Sequence, residues 1–152
     1  MLVSDYLSGY KVLAFSLREN ILEKKKMSRK SALAQYSNID VEAKAASESP
    51  SQLISLLFDK ACVLLRQGGE ALSADDFDTF DKSTTHALQI VMALRGVLDM
   101  ERGGDVAKSL YDTYTSIAAS LFKAKSTKDA ESLGKLYLAM SELREAWQQV
   151  PA

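Results

Sequence analysis

His86 and Cys62 are the only histidine and the only cysteine in the 152 residues, and nucleophilic or zinc chemistry would have to be built around them. A cysteine nucleophile needs a base within hydrogen-bond reach, and zinc needs three or four His, Cys or carboxylate ligands converging on one point. Cys62 and His86 fall on different predicted helices, and spacing picks out no third group. His86 therefore reads as an exposed or satisfied side chain, and Cys62, lying between two apolar stripes, as a small hydrophobe. Asp75, Asp76, Asp78 and Asp81 crowd together as calcium ligands do. An EF-hand loop, however, places glycine at its sixth position and glutamate at its twelfth, and neither falls there. Those carboxylates suit the positive start of a helix instead. Gly103 and Gly104 precede a helix as a phosphate loop does, but without a preceding strand, a third glycine or a following Gly-Lys-Ser/Thr. The sequence predicts no enzyme, no cofactor and no metal site.

What the chain does hold is material for a core. It is 47% hydrophobic and 26% charged, with 7 Gly and 2 Pro, the balance of a folded helical protein. A single domain of this length buries roughly 68–70% of the surface its unfolded chain exposes. One cysteine fits a reducing cytosol. No apolar run approaches the roughly 18 residues of a membrane span, and the first 26 residues lack the charged, apolar, small order of a signal peptide. A cytoplasmic protein without stable membrane insertion is expected. The net charge of −1 is unevenly spread: residues 1–30 carry 7 basic and 3 acidic side chains, the rest 12 and 17. The basic cluster Lys24, Lys25, Lys26, Arg29 and Lys30 is short and precedes an acidic body, so no nucleic-acid partner is predicted.

The elements follow from periodicity. In residues 1–26, Leu13, Leu17 and Ile21 share one helical face, so a short extra helix can form; Met27, after the basic run, offers a second start. Residues 27–48 hold only isolated apolar side chains, Leu33, Tyr36, Ile39 and Val41, and read as a mobile or loosely docked arm. From 49 to 150 the pattern is that of a bundle. Ser49, Pro50 and Gln52 make a capping box with proline at the first helical position. Leu53, Leu57, Ala61 and Leu64 then form a stripe widened by Ile54, Phe58 and Leu65, and Gly68 and Gly69 permit a stop. A second helix starts at Asp75 or Asp76 with Phe77, Phe80, Thr84, Ala87, Val91, Leu94 and Leu98 on its face. Gly103 and Gly104 are expected to turn the chain, so that Asp105 opens a third helix with Val106, Leu110, Tyr114, Ile117 and Leu121, widened by Tyr111, Ala118 and Phe122. After a cap at Thr127 or Asp129, Leu133, Leu136, Met140, Leu143 and Trp147 make the fourth. Short connections predict an all-α, antiparallel four-helix bundle with an N-terminal arm. Leu56, Ile90, Met92, Val97, Tyr111 and Phe122 are left as excess apolar surface, which either the core or a partner helix laid in a groove can use.

Four segments together resemble the flagellar secretion chaperones, the family that holds flagellin before export. They are AQYSNIDVEAKAASESPSQLISLLFD, DDFDTF, LDMERGGDVAKSLYDTY and SELREAW, in family order across about Leu33 to Val150. The resemblance extends the first helix to about Leu72. The chain departs from the family at Lys60, where a glycine is usual, and in the length of its leader. The resemblance implies a cytosolic, non-enzymatic chaperone that binds the C-terminal disordered segment of flagellin as short helices in apolar grooves and delivers it to an export gate component. It assigns gate contact to Leu33 and Tyr36 of the arm. Cargo contact is expected around Leu56, Tyr111 and Tyr114, with the arm, Ile39 included, docking on the empty bundle until flagellin displaces it. The alternative is a structural or regulatory bundle that binds some other amphipathic helix.

Overall fold

A computed structural model describes residues 50–149. It contains four helices, α1 (Pro50–Ser73), α2 (Phe77–Gly96), α3 (Met100–Thr127) and α4 (Ala130–Gln148), and no strand among the described residues. The leader, the arm and the Ser49 cap, residues 1–49, lie outside the described residues. Connections of two or three residues turn each helix back along the one before it. α1 packs on α2 and α4, and α3 packs on the same two. The helices thus form a ring in which α1 and α3 stand on the diagonal.

Two of the helix starts are those expected from the sequence. Asp76 accepts the backbone N–H of Thr79 at 3.2 Å and Asp129 that of Ser132 at 3.1 Å, each satisfying an amide that the first turn leaves without a helical partner. The residue before each cap, Asp75 at φ 57° and Lys128 at φ 53°, takes the left-handed conformation that reverses the chain. The corner between α2 and α3 differs from its prediction. α2 already ends at Gly96, and Asp99 caps α3 by accepting from the N–H groups of Glu101 at 3.1 Å and Arg102 at 3.0 Å. Of the glycine pair, only Gly104 uses a positive φ, 53°; it breaks the helix as expected, so that the main run of α3 opens at Asp105, but a first turn from Met100 precedes the break. Gly103 is buried in that first turn, and Asp105 follows the kink on the exposed side.

The core stripes of α1 and α4 match expectation: Leu53, Leu57, Ala61 and Leu64 on the first, and Leu133, Leu136, Met140, Leu143 and Trp147 on the second, are all buried. Trp147 is 6% exposed. Its indole N–H donates to the Ser55 hydroxyl at 3.0 Å, and its ring lies 6.5 Å from that of Phe58. Thr84, the one polar interruption of the α2 stripe, is fully buried and donates to the Phe80 carbonyl at 2.7 Å, so its hydroxyl is not left unsatisfied in the core. Ile90 and Val97, surplus apolar surface by spacing alone, are core. Phe77 is the reverse case. Expected on the core stripe, it sits at the first position of α2, exposed, with the Lys128 ammonium 5.3 Å from its ring centre.

Truncating Trp147 to alanine is expected to cost about 3–5 kcal/mol, the range for a buried aromatic, measured by urea unfolding with circular dichroism as the probe because Trp147 is the only tryptophan. Hydrogen bonds from Thr79 and Ser132, side chain first and then backbone, hold Asp76 and Asp129 below the usual carboxylate value of 3.8. A carboxyl depressed in the folded state contributes stability above its unfolded pKa and loses it as pH falls through the folded one. The melting temperature should therefore drop below about pH 3.8. Asp76→Asn with Asp129→Asn, which keeps both caps, should flatten that drop while leaving the value at pH 7 nearly unchanged.

Candidate partner-binding site

Two seams of the ring are closed by opposite means. On α2, Asp81, Leu88 and Arg95 recur every seven residues; on α3, Tyr111, Ala118 and Lys125 do the same. A seven-residue spacing keeps side chains on one face, and the end contacts show that these faces meet in antiparallel register. Arg95 lies 4.8 Å over the Tyr111 ring and donates to the Thr115 hydroxyl at 3.0 Å, while Lys125 pairs with Asp81 at 2.8 Å. The long polar side chains clasp the two ends of the seam. Between them lie half-buried Leu88 and Met92 on α2, and on α3 a strip running from Tyr111, 38% exposed, to Phe122, 62% exposed.

The residues expected to bind a partner are thereby sorted. Tyr111 is on this outer strip. Tyr114, only 3% exposed, belongs to the core on the same helix and supports the strip from beneath. Leu56 is half-buried on α1, across the ring from α3, so it and Tyr111 do not line one groove. Leu33, Tyr36 and Ile39 lie outside the described residues. Phe122, expected to widen the core face, lies beside it instead, and with Leu88 and Met92 it belongs to a surface that the separate helical stripes do not assemble. The recurrence of 81, 88 and 95 is the signal that could have found it.

The α1–α4 seam uses short contacts. Ser55 meets Trp147, Asp59 faces Arg144 at 3.8 Å, and the Cys62 sulfur lies 3.8 Å from the Ser141 hydroxyl. Burial pushes the Cys62 thiol up from its ordinary value, against a lowering by the Ser141 contact and the Arg144 charge. A buried thiol held protonated is a poor nucleophile. Further along, the same register brings Gly69 to the level of Gly134, and the seam opens into a groove of about 330 Å³ lined by Leu65, Leu133, Tyr137 and the two glycines, among others. No sequence pattern singles out this groove, because its floor is made by the absence of side chains on two separate helices.

No group of three or more His, Cys, Asp or Glu that could hold a metal occurs among the described residues. Nor is any described helix long and apolar enough to cross a membrane. What the bundle presents is apolar surface, and the comparison with known proteins gives that surface its context. The family profile of the flagellar protein FliS matches residues 32–152. The chain belongs to the FliS family. The flagellar secretion chaperone FliS of Salmonella typhimurium is 31% identical over 121 residues, covering 79% of this chain and 90% of the relative. That of Vibrio cholerae is 28% identical over 120 residues, with 79% and 88% covered. FliSB of Pseudomonas aeruginosa is 28% identical over 119 residues, with 78% and 94% covered. The FliS match takes in most of the arm and the whole bundle and leaves out residues 1–31.

The two groove glycines generate a prediction of their own. A Cβ added at Gly69 or Gly134 meets nothing among the described residues within 4 Å, so in the bundle alone, residues 50–149, alanine at either should stabilise the fold by about 0.5–1 kcal/mol through backbone entropy. Chemical denaturation checks it. Gly68→Leu is the contrast and should destabilise, since at Gly68 even a Cβ comes within 3.2 Å of the Thr84 methyl.

Proposed function

We propose that this protein is a cytoplasmic, non-enzymatic export chaperone that binds the C-terminal disordered segment of flagellin, prevents its premature polymerisation and delivers it to the flagellar export apparatus. The match of residues 32–152 to the FliS family carries this reading. The physical case is that flagellin's terminal segments are amphipathic and associate with one another, so covering one suppresses assembly while the cargo stays loose enough to be exported. The strip from Tyr111 to Phe122, about three helical turns of α3, supplies an apolar face for a short amphipathic helix. Leu56 on the diagonal helix supplies a second contact, reached because a wrapped cargo crosses more than one face. Tyr114 acts from within, by holding the strip in place. Leu33, Tyr36 and Ile39 of the arm cover cargo-binding surface when the chaperone is empty; once cargo displaces them, Leu33 and Tyr36 are free for the export gate.

Calorimetric titration of the full chain with a synthetic flagellin C-terminal peptide tests the reading. Binding should show a clearly negative heat-capacity change, the mark of apolar burial. Tyr111→Asp combined with Phe122→Asp should leave the helical content intact and weaken binding about tenfold or more, as loss of aromatic anchors does. Equal binding by wild type and variant would move the cargo surface elsewhere. Equal binding of an unrelated amphipathic peptide would favour a general helix-binding module.

A further inference from the structure

The groove between α1 and α4 is shaped for something close. Gly68 is closely packed, its Cβ position lying 3.2 Å from the Thr84 methyl, but Gly69 and Gly134 face open space among the described residues. Glycine inside a helix is destabilising relative to alanine by roughly 0.5–1 kcal/mol, and nothing in the bundle's own packing demands that cost at these two positions. Their lack of side chains lowers the floor of the groove where the antiparallel helices draw level. Leu65, Leu133 and Tyr137 make it apolar. Leu138, one turn beyond Gly134 on α4 and outside the groove's lining, is 62% exposed, within reach of a segment that runs along the groove and past Gly134. This face is separate from the α2–α3 strip, so its occupant need not compete with cargo.

We infer that the groove is occupied by the chain's own segment Tyr10–Ile21. Three observations support that occupant over a foreign one. The segment lies in residues 1–31, outside the family match. Tyr10, Leu13, Ala14, Leu17 and Ile21 stand at helical spacings of 3 and 4, one apolar stripe whose small central residue, Ala14, suits a close crossing over two glycines. Charge also favours the pairing, since Tyr10–Ile21 carries Lys11 and Arg18 against Glu19 and is followed by the basic run Lys24–Lys26, while residues 31–152 are net −5. Glu70 lines the groove beside its partner Arg66, and Glu131 adjoins Ala130, which also lines it; among the described residues each carboxylate is paired on its own helix, Glu70 to Arg66 and Glu131 to Lys135. The chain is long enough. Gly69 is 19 residues along α1 from Pro50, roughly 28 Å of helix, while the 28 residues from Leu22 to Ser49 span roughly 90 Å when extended.

Disulfide trapping in the full chain tests the placement, with buried Cys62 left in place. Ala14→Cys paired with Leu138→Cys should cross-link within one chain under mild oxidation. Ala14→Cys paired with Asp112→Cys, on the exposed side of α3, should not. Adding Leu13→Asp and Leu17→Asp should abolish the first cross-link. Equal trapping at both positions, no trapping at Leu138→Cys, or a link between two chains would overturn the inference. Hydrogen exchange gives a second measurement that needs no cysteine. Amides of residues 10–21 should exchange at least about tenfold more slowly than in free coil, and Gly69→Gln with Gly134→Gln, which fills the groove, should remove that protection. Free-coil exchange in the unmodified chain would also overturn it.

Discussion

The bundle depends on how near α1 can come to α2 at Gly68. A Cβ there would lie 3.2 Å from the Thr84 methyl, closer than an ordinary contact, and 3.9 Å from Leu133, an ordinary one, so the missing methyl group lets α1 approach α2 at Thr84 while leaving its contact with α4 unstrained. The Thr84 hydroxyl can be buried at that contact only because it turns back to the Phe80 carbonyl of its own helix. With α1 held close, Leu57, Phe58 and Leu65 reach full burial together with Ile90, Val91 and Met140. The register along α4 follows, from Ser55 beside Trp147 to Gly69 level with Gly134. A buried threonine beside a glycine looks like a flaw in an apolar stripe, yet here the two shapes are complementary.

The fourth helix is almost wholly legible in the sequence, and the α2–α3 corner is not. In α4 one strong cap, Asp129, precedes a regular apolar stripe, so local preference and periodicity agree. Around the corner three glycines, Gly96, Gly103 and Gly104, compete to end a helix, and composition does not rank them. The choice is made by Asp99, whose carboxylate takes two amides at once and starts α3 before the glycine pair is reached. Gly104, at φ 53°, then kinks α3 between that first turn and the remainder of the helix. Its conformational freedom is visible in the sequence, but the use made of it is not.

The candidate surfaces are legible as faces and not as pairs. Periodicity puts Tyr111, Tyr114, Ala118 and Phe122 within about a quarter of a turn of one another, too close to say which are inside. Where α2 lies decides it: Arg95 and Asp81 hold α3 so that Tyr114 is enclosed while Tyr111 and Phe122 remain outside. Leu56 and Tyr111 look alike as surplus apolar residues, yet they sit on helices that the ring keeps diagonal. Leu138 is an isolated apolar residue among Glu131, Lys135 and Glu142, and only the open groove one turn away gives it a context.

The two seams offer different kinds of recognition because they are closed by different chemistry. Long side chains at the ends of the α2–α3 seam keep the helices clasped while aromatic groups stand above the surface, where a partner adds contact without displacing anything from the core. Such a ridge tolerates variation in what lies on it, since aromatic rings offer area more than shape. The α1–α4 seam is the converse. Its floor is backbone, and a backbone floor rewards one small residue at one position and penalises any larger one, so it selects by shape. Under the proposed function, a loosely held client suits the first kind of surface. The second is better suited to a single fixed occupant supplied by the same chain.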